Sequence, residues 1–283
     1  MKEDDLRPSM RSEVTKYEAE ADFFQQVLQD DLQRPPKGAR VLEIGSGLGA
    51  LSVRLVQMGF QVTSLEPELG GFSSMITLRQ FAGILLSPAG QKVEWIDGDI
   101  QTVIERKAIY DYAIAVNVIE HVSEYERLIE EVVSLVKPGG TFRVICPNYA
   151  FPYEPHFHLP TLLVKSWSER ALSRRISNSK RENPWLLWDQ LSWPTARSVS
   201  RALRRIALPH EQTRDAFEWY LRRVFDDEVF AERKSGIFLA LARRVAAHRN
   251  LLVAVWPRSL VPVLDFRVKP KDAEVPKSVR GGS

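Results

Sequence analysis

A glycine-rich turn constrains the fold of this chain more than any other feature of its sequence. An apolar run with β-branched character occupies residues 41–44, and Gly45, Gly47 and Gly49 follow it at alternate positions before an apolar helical pattern begins. Because glycine lacks a Cβ atom, a ligand can approach the backbone of such a turn closely. The N–H groups at the start of the helix favour a polar or anionic group there. The sequence therefore predicts a strand, a tight turn and a helix that together bind a ligand.

Two classes of cofactor use a turn of this kind, and the turn alone does not separate them. The spacing Gly45-x-Gly47-x-x-Ala50 satisfies the fingerprint of dinucleotide-binding proteins, which use NAD or a similar group. The overlapping pattern Glu43-x-Gly45-x-Gly47-x-Gly49 resembles motif I of class I S-adenosylmethionine-dependent methyltransferases. A tight turn without any ligand is the third interpretation. The residues at the ends of the later strands decide between the three.

Composition places the chain among ordinary globular proteins. Its 283 residues, 44% hydrophobic and 27% charged, suffice for one α/β domain with additions or for two small domains. Cys146 is the one cysteine, so an intrachain disulfide framework and a multi-cysteine zinc site are excluded. The first residues are polar, and no apolar run reaches the roughly 18 residues of a membrane-spanning helix. These features predict a cytoplasmic protein.

The net charge of +3 conceals a difference between two parts of the chain. Residues 1–160 carry 15 basic and 23 acidic side chains, whereas residues 161–283 carry 24 basic and 13 acidic ones. The C-terminal part is therefore expected to meet an anion, such as a phosphorylated or carboxylated substrate, a membrane surface or nucleic acid. Its arginines are scattered among acidic residues, which is equally typical of solvated helix faces.

Strands and helices alternate along the N-terminal half of the chain. An amphipathic helix is predicted over residues 12–32, ahead of the glycine turn. The predicted strands lie at 41–44, 61–65, 92–96, 110–116 and 141–146, and the predicted helices at 50–58, 73–84 and 123–136. This alternation predicts a doubly wound, Rossmann-like α/β sheet that binds its ligand at the carboxyl ends of the strands.

Acidic side chains occur at two of these strand ends. Glu66 ends the second strand, 21 positions after Gly45, where a carboxylate can accept hydrogen bonds from both ribose hydroxyls of an adenosine. Asp99 follows the third strand and could accept a hydrogen bond from an adenine amino group, with Ile100 against the ring. An exposed surface carboxylate is the alternative for Glu66, and the spacing favours the ribose interpretation.

Four segments in a fixed order resemble one family over about the first 150 residues. They are Glu43-Ile-Gly-Ser-Gly-Leu-Gly49, Gly98-Asp99-Ile100, Asn117-Val-Ile-Glu-His-Val122 and Leu135-Val-Lys-Pro-Gly-Gly-Thr141. In class I S-adenosylmethionine-dependent methyltransferases, similar segments form motif I, the adenine-binding segment, the motif after strand four and the turn into strand five. A nicotinamide-dependent dehydrogenase is not expected to carry the last two.

The resemblance implies S-adenosylmethionine as the cofactor. Its adenosine end would meet Glu66 and Asp99, and Glu43 would orient its ammonium group directly or through water. The cofactor-binding residues that the resemblance implies are Glu43, Gly45, Ser46, Gly47, Gly49, Glu66, Pro67, Asp99, Ile100, Asn117 and Val118.

A proline-rich loop over residues 147–160 follows the last parallel strand and carries candidate acid–base groups. We predict His156 as the general base and Glu154 as the residue that orients it or contacts the acceptor. Tyr153 or His158 would line the pocket. A rigid lid that covers the cofactor and excludes water is the alternative for the whole loop.

Other chemistries are weaker interpretations of the same segments. His121, in the helix predicted after strand four, is a rival base, although a packing role suits it better. A metal site is not expected, because His156 and His158 lack a clear third ligand. Nucleic-acid substrates are disfavoured. Cys146-Pro147 has the wrong order and place for a cytosine-methylating enzyme, and residues 117–120 lack the Pro-Pro-aromatic segment of an amino-methylating one.

Residues 161–249 exceed what the core fold requires and are predicted to form a helical cap. Helices are predicted at 161–176, 195–206 and 213–248, and the cap contains Trp167, Trp185, Trp188, Trp193 and Trp219. These tryptophans, with the arginines, could form an acceptor pocket, a homodimer surface or a weak peripheral membrane contact, while core packing is the plainer interpretation. Strand seven is expected at 257–268 and strand six near 206–212, where the pattern is weak.

The sequence thus divides into five segments. They are an N-terminal helical segment (1–38), a cofactor-binding core (39–160), the cap (161–249), a C-terminal strand that completes the sheet (250–269) and a flexible tail (270–283). From the resemblance we expect methyl transfer to a small-molecule or glycan-type acceptor, with oxygen as the preferred atom, by in-line displacement. The alternatives are a dinucleotide-dependent oxidoreductase and a non-catalytic cofactor-binding protein whose cap docks on a partner.

Overall fold

A seven-stranded sheet forms the centre of the computed structural model, which describes residues 8–67, 78–79, 84, 87–162, 164–179, 183–226 and 249–271. The strands are β1 (Arg40–Ile44), β2 (Gln61–Glu66), β3 (Glu94–Asp97), β4 (Tyr110–Val116), β5 (Val136–Pro147), β6 (Tyr153–Glu154), β7 (Leu159–Pro160), β8 (His210–Gln212) and β9 (Val263–Val268). The sheet order is β3-β2-β1-β4-β5-β9-β8, while β6 and β7 form a separate hairpin. Strands β1 to β5 are parallel, and β9 runs antiparallel to both of its neighbours. The predicted Rossmann-like α/β class is confirmed.

Helices cover both faces of this sheet. They are α1 (Pro8–Val27), α2 (Gln29–Leu32), α3 (Ala50–Gln57), α4 (Tyr125–Leu135), α5 (Lys165–Ser177), α6 (Pro184–Gln190), α7 (Ala196–Arg205), α8 (Asp215–Asp226) and α9 (Arg249–Val255). Val41 of β1 packs in one core cluster with Phe24 of α1, and Leu42 packs in the other with Val132 of α4. Because adjacent strand residues point to opposite faces, the two clusters are the two faces of one sheet.

Strand β5 begins earlier than predicted. The segment 137–140, predicted to end a helix before a strand at 141, lies within a strand that starts at Val136. Val136 pairs with Tyr110, and a register shift between Tyr110 and Tyr112 accommodates the extra residues. Helix α4 therefore leads into β5 directly, and a β-bulge takes the place of the predicted loop.

The C-terminal elements also differ in extent from those predicted. Strand β9 occupies the second half of the segment predicted at 257–268, because helix α9 and the 3-10 turn Arg258–Leu260 precede it. Strand β8 is the expected sixth strand, and its three residues are too few to produce a readable alternation. Helix α5 begins at Lys165, four residues later than predicted, after the β6–β7 hairpin has closed.

Some predictions fall outside the described residues. The helix predicted at 73–84 is described only at 78–79, which are helical, and at 84. The helix predicted at 213–248 is described as α8, and residues 227–248 lie outside the described ranges. The same holds for all but the first two residues of the tail predicted at 270–283. Among the helices that are described, none is both long and apolar enough to cross a membrane.

A buried ionic cluster fixes the outer half of the sheet. Arg143 of β5 is fully buried, and its guanidinium donates to Asp265 of β9 at 2.5 Å and to Asp215 of α8 at 2.8 Å. It also donates to Asp31 of α2, which in turn accepts from the Tyr112 hydroxyl at 2.9 Å. Because these carboxylates surround it, the pKa of Arg143 is raised in spite of its burial.

Candidate functional site

The glycine turn between β1 and α3 adopts backbone conformations that other residues disfavour. Gly45, Gly47 and Gly49 have φ angles of +67°, +52° and +81°. A Cβ atom at Gly45 would lie 2.4 Å from Cγ2 of Val118, and one at Gly49 would lie 2.3 Å from the Trp95 ring. Backbone conformation and lack of space both require glycine at these two positions.

Glu66, at the end of β2, reaches the glycine turn. Its Oε2 accepts a hydrogen bond of 2.6 Å from the N–H of Gly47. Burial raises the pKa of Glu66, although the Gly47 hydrogen bond opposes this shift. The next residue, Pro67, is half-buried. The acid at the tip of β2 and the glycine turn therefore line one cleft at the carboxyl end of the sheet, where α/β sheets bind their ligands.

Arg79 lies across this cleft, although no sequence motif indicates a role for it. Its guanidinium donates to the carbonyl of Gly47 at 2.6 Å and lies 3.5 Å from the Ser46 hydroxyl. It also lies over the Trp95 ring, 4.5 Å from the centroid, and 3.7 Å from the Asp97 carboxylate. Burial lowers the pKa of Arg79, while the surrounding acids oppose this shift. Only the fold brings this side chain to the turn.

Glu43 and Asp99 both have partners within the protein. The buried Glu43 accepts a hydrogen bond from the Ser52 hydroxyl, and burial raises the pKa of Glu43 to about 7. Asp99 accepts the N–H of Gln101 at 3.0 Å and so caps a short 3-10 helix. Ile100, the first residue of that helix, is buried in the core. Glu43 therefore also links β1 to helix α3, and Asp99 fixes the backbone at the start of the 3-10 helix.

The N-terminal helix α1 forms another wall of the cleft. Asn117, at the end of β4 with a φ of +54°, donates its side-chain N–H to Glu20 of α1 at 2.6 Å. Burial raises the pKa of Glu20, while the charge of His156 and the Asn117 bond oppose this shift. A Cβ atom at Gly47 would lie 3.7 Å from the Tyr17 ring. The amphipathic pattern of α1 indicates packing alone, so the sequence does not predict Tyr17 or Glu20 at the cleft.

The β6–β7 hairpin holds His156 in a defined orientation. Oε1 of the buried Glu154 accepts the His156 N–H at 3.1 Å and faces Nδ1 of the same ring at 2.6 Å. Its Oε2 accepts the Phe157 N–H at 2.6 Å. Burial opposes ionisation, but the hydrogen bond and charge of His156, with these N–H groups, lower the pKa of Glu154. An ionised carboxylate thus orients the His156 ring through Nδ1.

Glu120 and His121 lie beside His156. They belong to the 3-10 helix Ile119–His121, which precedes α4, and not to the helix predicted after strand four. The centroids of the His121 and His156 rings are 5.0 Å apart, with an angle of 80° between the ring planes. Glu120, His121 and His156 each place one candidate ligand atom within 4.8 Å of the others. The sequence does not predict this group, which leaves His158 out, because residues distant in the chain converge on His156.

Burial is the main cause of the shifted pKa values of Glu120 and His121. Glu120 is fully buried, and within the described ranges neither of its carboxylate oxygens has a hydrogen-bond partner. Burial raises the pKa of Glu120 to about 7. Burial, and then the charge of His156, lowers the pKa of His121 to about 4. At neutral pH His121 is therefore uncharged.

Tyr153 and His158 lie at the rim of the site and contact each other. The Tyr153 hydroxyl is 2.9 Å from Nδ1 of His158, which is exposed and has a φ of +54°. Tyr220 of α8 is close enough to Tyr153 to feel its charge, and burial raises the pKa of Tyr220 to about 12. Helix α8, which belongs to the helix predicted at 213–248, thus lies near Tyr153.

The tryptophans of the cap serve different purposes. Trp188 is fully buried and packs edge-on against Phe157 of the hairpin, at 5.7 Å between centroids. Trp193 stacks on Tyr149 at 4.9 Å. Core packing therefore explains the central tryptophans and supports the loop that carries His156. Trp167 differs, because it is 60% exposed.

Known proteins resemble this chain over most or part of its length. The family described as "Methyltransferase domain" matches residues 16–223. An uncharacterized protein of Mycobacterium tuberculosis (strain H37Rv) is 34% identical over 253 residues, which cover 88% of this chain and 85% of that protein. A ubiquinone biosynthesis O-methyltransferase of Xanthomonas axonopodis pv. citri is 33% identical over 107 residues, or 37% of this chain and 41% of that enzyme.

A solved structure shares the fold. The S-adenosylmethionine-dependent methyltransferase of Mesorhizobium loti superposes with a TM-score of 0.50 at 14% identity, covering 87% of this chain and all (100%) of that one. The family match sets aside the dinucleotide alternative, and the cofactor is S-adenosylmethionine. The chain belongs to the class I S-adenosylmethionine-dependent methyltransferases.

Proposed function

We propose that this methyltransferase acts on a hydroxyl group of a small-molecule or glycan-type acceptor, with His156 as the general base. The observation that carries the proposal is the pairing of His156 with the buried carboxylate of Glu154. A hydroxyl must lose its proton when it accepts a methyl group, so O-methylation requires a base beside the cofactor. The similarity to an enzyme named as an O-methyltransferase favours oxygen as the accepting atom.

The cleft residues suit the parts of S-adenosylmethionine. The N–H of Gly47 donates to the carboxylate of Glu66. The methionine carboxylate of the cofactor would accept a hydrogen bond of the same kind at the turn. Glu66 suits the ribose hydroxyls, and Asp99 with Ile100 suits the adenine. Glu43 is buried behind the turn, where the family resemblance assigns it to the ammonium group. When bound, the cofactor supplies a methyl group on a cationic sulfur.

The proton transfer follows from the hydrogen bonds of His156. Its Nδ1–H donates to Glu154, so Nε2 carries the lone pair and takes the proton of the acceptor hydroxyl. The acceptor oxygen forms a bond to the methyl carbon as the bond between carbon and sulfur breaks, and the electron pair of that bond stays on sulfur. Alignment of oxygen, carbon and sulfur contributes an effective molarity on the order of 10⁵ M. His121 is the weaker base, because its pKa is about 4.

The test compares His156→Ala with the wild type at saturating S-adenosylmethionine. The wild type is first supplied with pooled phenolic, sugar and other hydroxylated acceptors, and release of S-adenosylhomocysteine identifies a substrate. On that substrate we expect His156→Ala to turn over about 10²- to 10⁴-fold more slowly with unchanged cofactor affinity. His210→Ala is the control, because His210 lies in β8 and bonds the Leu208 carbonyl. Unchanged turnover of His156→Ala would remove the base assignment.

Two further proposals concern the association of the protein and its location in the cell. The exposed Trp167 and Leu162, 60% and 48% accessible, favour a homodimer or a peripheral membrane contact through the cap. The single buried Cys146 fits a cytoplasmic location. Sedimentation velocity, with and without anionic vesicles, tests the first proposal, and a Trp167→Ser variant should weaken whichever association is found.

A further inference from the structure

Three side chains beside the cleft form a donor set that proton transfer alone does not explain. Glu120 is fully buried, and neither of its oxygens has a hydrogen-bond partner in the described part of the chain. A buried carboxylate without a partner is costly, so its position requires an explanation. His121 and His156 are its neighbours in the group whose ligand atoms lie within 4.8 Å of one another.

We propose that Glu120, His121 and His156 bind one divalent transition-metal ion of the Zn²⁺ class. Two imidazole nitrogens and a carboxylate oxygen are a donor set that such ions prefer. Ligand atoms around one ion at about 2.1 Å lie roughly 3 to 4 Å apart. The three groups therefore need to approach one another by at most about 1 to 2 Å, a movement within reach of side-chain rotations.

The surroundings of His156 suit metal binding. Metal-bound histidines almost always pair their second ring nitrogen with a carboxylate or carbonyl. Glu154 makes that contact with Nδ1 of His156 at 2.6 Å.

The metal site adds a second element to the proposed methyl transfer. It rests on that proposed function, because the position of the acceptor near His156 is taken from it. Three protein ligands leave a coordination position open, as in catalytic zinc sites. An acceptor oxygen bound there would lose its proton more readily. A nitrogen that binds an ion cannot take up a proton at the same time, so His156 acts as the ligand in the loaded enzyme and as the base in the metal-free enzyme.

Metal binding is tested without any acceptor. The full-length protein is freed of metal by dialysis against a chelator and titrated with Co²⁺, whose visible absorption reports coordination by nitrogen and oxygen. We expect one saturable site, from which Zn²⁺ displaces Co²⁺. Glu120→Gln should weaken binding by at least tenfold, and Glu154→Gln by about 10- to 100-fold. Glu124→Gln, an exposed neighbour, and His210→Ala, a distant histidine, should bind as the wild type does.

The outcomes separate the two proposals. Absence of a saturable cobalt signal, or a signal that Glu120→Gln leaves unchanged, overturns the metal site. Circular dichroism and S-adenosylmethionine affinity check that Glu120→Gln is folded, and His121→Ala provides a second test of the same ligands. Methyl transfer by metal-free enzyme at the full rate supports His156 as the base. Transfer that requires added metal removes that base assignment and retains the metal site.

Discussion

At the scale of single residues, the buried carboxyl of Glu43 couples stability to pH. Burial raises its pKa from 4.5 to about 7 in the folded state, so the folded protein holds this proton more tightly than the unfolded chain does. The unliganded protein should therefore lose stability as the pH rises from about 4.5 to 7, by at most about 3 kcal/mol from this group. Glu43→Gln keeps an oxygen for the Ser52 hydroxyl and should lack that loss. Urea unfolding from pH 5 to 8 measures the difference.

The control for this prediction is Glu124→Gln, which removes an exposed carboxyl. The free energy of unfolding of Glu124→Gln should depend on pH as that of the wild type does. If the free energy of unfolding of Glu43→Gln also showed the wild-type pH dependence, Glu43 would not carry the raised pKa.

Gly45 provides a second prediction at this scale, because it has a matched control. Gly45 and Gly38 have φ angles of +67° and +82°, but only a Cβ at Gly45 would collide with Val118, while nothing lies within 4 Å of one at Gly38. Gly38→Ala should therefore cost about 1 to 2 kcal/mol from backbone strain alone. Gly45→Ala should cost more and also weaken S-adenosylmethionine binding. Thermal unfolding and titration calorimetry measure the two effects, and equal losses in both variants would contradict the steric argument.

At the scale of elements, the Arg143 cluster joins α2, β5, α8 and β9. Arg143→Met leaves Asp265 buried without its cation, while Asp31 keeps Arg267, and removal of one partner from a buried ion pair costs about 3 to 5 kcal/mol. Denaturant unfolding should show this loss. Arg205→Met, which removes an exposed arginine paired with Glu126, should change stability little. A small effect of Arg143→Met would mean that the cluster sets the geometry of the sheet edge without stabilising it.

The sequence predicts those elements whose signals are local. The β4 strand is a nearly continuous apolar run, and the turn after β1 is marked by glycines, so both can be predicted directly from the sequence. The three residues of β8 are too few for a pattern, and the early start of β5 depends on pairing with Tyr110. Pairing between distant segments leaves no periodic signal in either of them.

The same limit applies to the site. The cofactor residues lie in motifs that follow single strands, and a motif can be recognised from its own residues. Glu20 meets Asn117 across 97 positions of the chain, and Glu120 meets the His156 ring from a different strand end. These contacts arise because parallel strands bring their carboxyl ends to one edge. The sequence therefore predicts which edge binds the ligand, but not which side chains converge there.

At the scale of the whole molecule, helix α1 connects the core to the cofactor cleft. Its buried Phe24 packs in the sheet core, while Tyr17, two turns earlier, lies against the glycine turn and Glu20 bonds Asn117. Tyr17→Ala should therefore weaken S-adenosylmethionine binding by about tenfold. The loss of its packing against Leu48 should lower the melting temperature only slightly, because Phe24 keeps the helix in the core. Lys16→Ala, an exposed neighbour, is the matched control. Hydrogen exchange should show that the cofactor protects α1 in the wild type and protects it less in Tyr17→Ala. Equal protection and equal affinity in both variants would mean that α1 supports the sheet without forming part of the binding site.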